Sequence, residues 1–127
     1  MTKKLVALLI IFVLGFVFYK ATSRNPSILS VTDDKAELIL FWGEGCPHCE
    51  VVKDYIKDNQ LDTQINLSLK EVYYDKANQR LLEDTVKKCP EIDVSRGIGV
   101  PLAFVPETQT CYLGDQPIIE QLDKMLK

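Results

Sequence analysis

The sequence has no internal repeat and no low-complexity tract, and it carries a single histidine, His48. Its 127 residues leave room for one compact domain and little else. One histidine excludes a metal centre built on several imidazoles. Basic charge is also scarce, with 15 Lys and Arg against 18 Asp and Glu. Residues 1–20 hold three of those lysines and no acid, so residues 21–127 carry 12 basic and 18 acidic side chains, a net −6. That sign argues against nucleic acid as a partner, because phosphates call for a basic surface. What remains is 46% apolar residues, enough for a core, and four cysteines.

Long apolar runs are absent save one. Leu5–Tyr19, "LVALLIIFVLGFVFY", is 15 residues without a charge and follows Lys3 and Lys4. A charged start and an apolar run with no polar face form the pattern of secretory targeting. A spanning helix wants roughly 17–25 apolar residues, so the run is short. Snorkelling of Lys4 and Lys20 would extend it. The expectation is a retained transmembrane anchor over residues 1–20, a polar linker over 21–34 and a folded domain over 35–127. The chain would be single-pass in the cell membrane, in contact with the bilayer through residues 5–19. Its C-terminal domain would lie outside the cytoplasm, where disulfides persist. A cleaved signal peptide, cut near Ser23, is the alternative.

Within the domain, "LILFW" before Gly43 is a continuous apolar run and reads as a buried strand. Val51, Val52, Tyr55 and Ile56 lie on one face of a helix ending near Asn59. Ile65–Tyr73 alternates in part and reads as a second strand. Asp75 is a fair N-cap for a helix over about 76–88. "PLAFV" and Thr110–Leu113 form a hairpin across "PETQ". Asp115 is expected to cap a last helix with Pro117 in its first turn. The order β-α-β-α-β-β-α gives an α/β fold with a mixed four-stranded sheet flanked by helices.

The chemistry concentrates in "FWGEGCPHC", Phe41–Cys49. Three readings compete. A zinc site needs about four ligands, and the Cys46–Cys49 spacing supplies only half of one, with no second CxxC. The expectation is therefore no metal. A structural staple between these two closes so small a loop that it restrains the unfolded chain little. A redox pair fits the placement. Cys46 falls at a helix N-terminus with Pro47 at the first helical position, where free N–H groups and the positive dipole end favour a thiolate. His48 adds a second stabilising group, and Cys49, one turn on, is the resolving thiol.

These residues resemble the thioredoxin superfamily over about residues 35–127. "FWGEGC" is similar to the thioredoxin lead-in, and the Pro-His pair between the cysteines is similar to DsbA-type disulfide oxidases. "GVPLAFV" with "TCYLGDQPIIEQL" is similar to a glutaredoxin C-terminal half. The resemblance implies a thioredoxin-like fold, with Pro101 cis beside the cysteine pair. It also implies that the Val100 backbone and Trp42 contact an extended substrate. One departure stands out: thioredoxins carry a buried acid where this chain has Leu40, so no carboxylate there relays a proton to Cys49.

Cys89 and Cys111 remain. An even cysteine count invites a second disulfide, which would contribute roughly 3 kcal/mol. Two buried thiols, or a pair exchanging with Cys46–Cys49, are the alternatives. The function expected is a thiol-disulfide oxidoreductase, acting without a cofactor as a monomer. Its partners would be cysteine-containing clients and a membrane or soluble redox partner. Oxidation or isomerisation is favoured over reduction. The rival is a non-catalytic thioredoxin-fold module that binds proteins or a metal.

Overall fold

The computed structural model describes residues 2–22 and 33–127. Four α-helices and four strands follow one another: α1 Thr2–Thr22, β1 Leu38–Trp42, α2 Pro47–Asp58, β2 Leu67–Glu71, α3 Lys76–Val86, β3 Leu102–Val105, β4 Thr110–Leu113 and α4 Asp115–Met125. The strands form one mixed sheet in the order β2-β1-β3-β4. β1 runs parallel to β2 and antiparallel to β3, and β3 pairs antiparallel with β4.

The sheet is covered on both faces, which is why β1 reads as an unbroken apolar run. Leu38 and Leu40 join Val52, Ile56, Leu67, Ala103, Ile118 and Leu122 in one core. Ile39 and Phe41 point the other way and join Leu82, Val86, Cys89, Phe104 and Cys111 in a second. α2 and α4 therefore pack on one face and α3 on the other. A hydrogen bond from the Tyr55 hydroxyl to Asp123 ties α2 to α4. Asp33 fastens the segment before β1 to β2, accepting from Ser68 Oγ at 2.8 Å and lying 2.8 Å from Lys70 Nζ.

The expected membrane segment is overturned. No helix among the described residues is long and apolar enough to cross a membrane. α1 has 21 residues, but Lys3, Lys4 and Lys20 sit near its two ends. The uncharged stretch of 15 residues spans about 22 Å at ~1.5 Å per residue, against a hydrocarbon core of about 30 Å. The single-pass placement falls with it. The expected linker lies largely in residues 23–32, outside the described residues, as does the cleavage point near Ser23.

Smaller differences concern helix ends. α4 begins at Asp115 itself and Gly114 holds the N-cap position with φ 93°, so Asp115 is not the cap. Asp75 does cap α3, its carboxylate accepting from Ala77 N–H and Asn78 N–H.

Candidate functional site

The site begins where β1 ends. Trp42 closes the strand, and Gly43–Gly45 turns the chain into α2, with Cys46 N–H donating to the Gly43 carbonyl at 3.1 Å. Gly45 has φ 75°, in the left-handed region that L side chains rarely adopt. The Tyr73 ring packs directly over Gly43, so a side chain there would require that ring to swing aside.

Cys46 is the N-cap of α2, in extended backbone with Pro47 following it in the first turn. Its Sγ accepts from Cys49 N–H at 3.3 Å. One of the unpaired donors of the helix N-terminus is thus aimed at sulfur. Cys46 and Cys49 form a disulfide with Cα atoms 5.2 Å apart. Cys46 is 8% exposed and Cys49 is fully buried, so Cys46 is the less enclosed of the two.

A second segment meets the pair from the far end of the sequence. The Val100–Pro101 peptide is cis, and Pro101 is fully buried. Cys46 Sγ lies 3.7 Å from the Val100 carbonyl oxygen. In the disulfide that sulfur carries no proton, so this is a contact; in the dithiol, Cys46 S–H has an acceptor there. The Pro101 carbonyl in turn accepts from Gly114 N–H at 2.9 Å, which holds the start of α4 next to this loop.

That start matters for His48, which is 71% exposed and has its Nδ1 3.0 Å from Asp115 Oδ2. The His48 ring, then Gln116 N–H, hold the Asp115 carboxyl below the ordinary carboxylate range. The histidine expected to act on Cys46 thus has an acid of its own across the site. Trp42 is half-buried, and Lys53 Nζ sits 3.8 Å above its ring centroid. Leu40 is fully buried, and the buried polar side chains among the described residues are Ser68 and Thr85. Glu44 is exposed.

Sequence reasoning missed Glu71. Its carboxylate accepts from Tyr73 N–H at 2.7 Å, Tyr74 N–H at 2.9 Å, Asp75 N–H at 3.2 Å and Glu44 N–H at 3.3 Å. It joins the turn before Cys46 to the loop after β2. Desolvation raises its pKa, but the N–H groups of Tyr74, Tyr73, Glu44 and Asp75 outweigh that and leave it lowered. A lowered folded pKa contributes stability above the ordinary carboxylate range, and that stability is lost as pH falls through the folded value. Glu71→Gln is therefore expected to cost about 1 kcal/mol at pH 7, with the donors' access to water limiting the loss. The difference from the parent should vanish in acid. Urea unfolding at pH 7 and pH 3 checks this; an equal gap at both values would mean the carboxylate charge is not the cause.

The second disulfide joins Cys89, just past α3, to Cys111 in β4, with Cα atoms 5.8 Å apart. Both are buried, and Cys111 pairs with Phe104 on the α3 side of the sheet. The pairing that the sequence left open is thus settled as a disulfide. Glu91 lies beside it, accepting from Cys111 N–H at 3.1 Å.

Searches against protein-family models and curated proteins match nothing to this chain, so the reading of the site rests on its own geometry.

Proposed function

We propose that this chain is a protein thiol-disulfide oxidoreductase of the thioredoxin superfamily, working through Cys46 and Cys49. The observation that carries the reading is the position of Cys46 Sγ. It caps α2, takes the Cys49 N–H at 3.3 Å and lies 3.7 Å from the Val100 carbonyl. A structural staple has no use for a sulfur placed to receive helix N-terminal donors; a leaving thiolate does.

The oxidative direction runs as follows. A client thiolate attacks Cys46 Sγ, a client–Cys46 disulfide forms, and Cys49 leaves as a thiolate that takes a proton. A second client thiolate attacks the client sulfur of that mixed disulfide and expels Cys46. The client loses two electrons and two protons, and the Cys46–Cys49 pair gains both. The Cys49 N–H and the positive end of α2 stabilise the departing Cys46 thiolate. Stabilising the reduced form makes the disulfide more oxidising, which favours oxidation or isomerisation. The client backbone would lie along Val100, a form of strand addition. Leu40 supplies no acid to deprotonate Cys49, which weighs against a thioredoxin-type reductase.

Redox titration of the whole chain in glutathione buffers, with alkylation and mass mapping of each cysteine, tests the direction. The expected midpoint for Cys46–Cys49 lies above about −200 mV. A midpoint near about −270 mV would assign the chain to reduction instead.

A further inference from the structure

Cys89, Glu91 and Cys111 present one ligand atom each, all within 4.8 Å of one another. The thioredoxin-like chemistry uses none of them. We propose that reducing the Cys89–Cys111 disulfide converts this cluster into a binding site for a zinc ion, held by two thiolates and the Glu91 carboxylate.

The geometry carries the proposal. Tetrahedral Zn²⁺ binds thiolate at about 2.3 Å, which puts two sulfurs on one ion about 3.8 Å apart. A broken disulfide reaches that spacing by side-chain rotation alone, since the Cα atoms are already 5.8 Å apart on β4 and the turn after α3. Those backbones are anchored by the sheet pairing of Cys111 with Phe104 and by Cys89 N–H bonding to the Val86 carbonyl at 3.0 Å. Glu91 is pinned at the same place: its Oε1 takes Cys111 N–H at 3.1 Å. Among the described residues, the other carboxylate oxygen has no such bond to give up.

The chemical character also fits. Two soft thiolates with one hard carboxylate suit the borderline Zn²⁺ better than Cu⁺, which prefers sulfur alone, or Mg²⁺ and Ca²⁺, which prefer oxygen. Both cysteines are buried while Glu91 is exposed, so the ion would enter along the glutamate and keep a water as fourth ligand. The steps balance. A dithiol reductant gives two electrons and two protons to the sulfur–sulfur bond, becoming a cyclic disulfide. Zn²⁺ then displaces the two thiol protons. Oxidation expels the ion, so metal and disulfide are mutually exclusive states of one cluster.

The test uses the full-length Cys46→Ser/Cys49→Ser variant, so that no metal is held by that pair. It is reduced with dithiothreitol, freed of reductant anaerobically and titrated with Co²⁺ as an optical stand-in for zinc, then with Zn²⁺. The expected result is one equivalent of Co²⁺ with tetrahedral visible bands and a thiolate charge-transfer band, displaced by one equivalent of Zn²⁺. The oxidised protein should bind none. Glu91→Gln should weaken binding at least about tenfold. Zn²⁺ should also raise the Tm of the reduced chain, a readout that survives if the metal-free reduced form is partly unfolded. Absence of the bands and of any Tm rise overturns the site, and unchanged affinity in Glu91→Gln overturns the assignment of its third ligand.

Discussion

Cys46→Ser is expected to abolish thiol-disulfide exchange with clients, while Cys49→Ser leaves a Cys46 thiol that can attack a client disulfide and stalls at the mixed disulfide. The asymmetry follows from exposure. Cys46 is the less enclosed sulfur and Cys49 is fully buried beneath it. Without Cys49, a client that has joined Cys46 has no internal thiol to release it, so mixed disulfides accumulate. The remaining Cys46 thiol should titrate well below its ordinary value of about 8.5. Its thiolate keeps the Cys49-position N–H, a backbone donor that the substitution leaves in place. Non-reducing gels of the two variants, with adducts identified by mass spectrometry, read the trapping. The pH dependence of iodoacetamide alkylation reads the thiol. Adducts with Cys49→Ser and none with Cys46→Ser support the mechanism. Equal behaviour of the two, or an ordinary thiol pKa at Cys46, would sink it.

The groups around that thiolate contribute unequally. His48 follows Cys46 by two residues and carries the one imidazole of the chain. Its Nδ1 is engaged by Asp115, however, and the ring is largely in solvent. A protonated His48 has a carboxylate counter-charge at 3.0 Å, which cancels much of its field at sulfur. The Cys49 N–H and the end of α2 have no such counter-charge on the same bond. Backbone donation is accordingly the main stabiliser, and the His48–Asp115 pair serves to hold the first turn of α2 against the start of α4.

Much of this architecture was legible because it is local. β1 is an apolar run between polar borders, α2 and α4 show helical spacing of apolar residues, and Asp75 sits where a capping acid should. Cys46 ahead of Pro47 marked its own place at a helix start. The misses are contacts between distant segments. His48 meets Asp115 across 67 positions and Glu71 meets Glu44 N–H across 27, and neither partner has a pattern that points to the other. Glu71 ends a strand, where an acid looks like a solvated border residue. The N-terminal run misled for another reason: its composition resembles a membrane segment, but its uncharged length does not reach across one.

Breaking the Cys89–Cys111 bond should be the most destabilising change outside the site. The bond spans a separation of 22 residues, and closing a loop of that size restricts the unfolded chain by roughly 3 kcal/mol. For a domain of this size that corresponds to a Tm lower by on the order of 15 °C. Alanine is the better probe than serine, because both positions are buried in the α3-side core and a hydroxyl there adds its own desolvation cost. Either single substitution abolishes the bond, so Cys89→Ala, Cys111→Ala and the double variant should fall by similar amounts rather than additively. Urea unfolding of the three variants beside the parent decides this. Two additive losses of about half the size each would mean that packing of the separate sulfurs, not the cross-link, holds α3 to β4. The cross-link fastens the turn after α3 to the edge strand, and β3, paired to that strand, directly follows Val100 and Pro101. Its loss should therefore reach the Cys46 contact through the backbone and lower the affinity for client peptides along with the Tm.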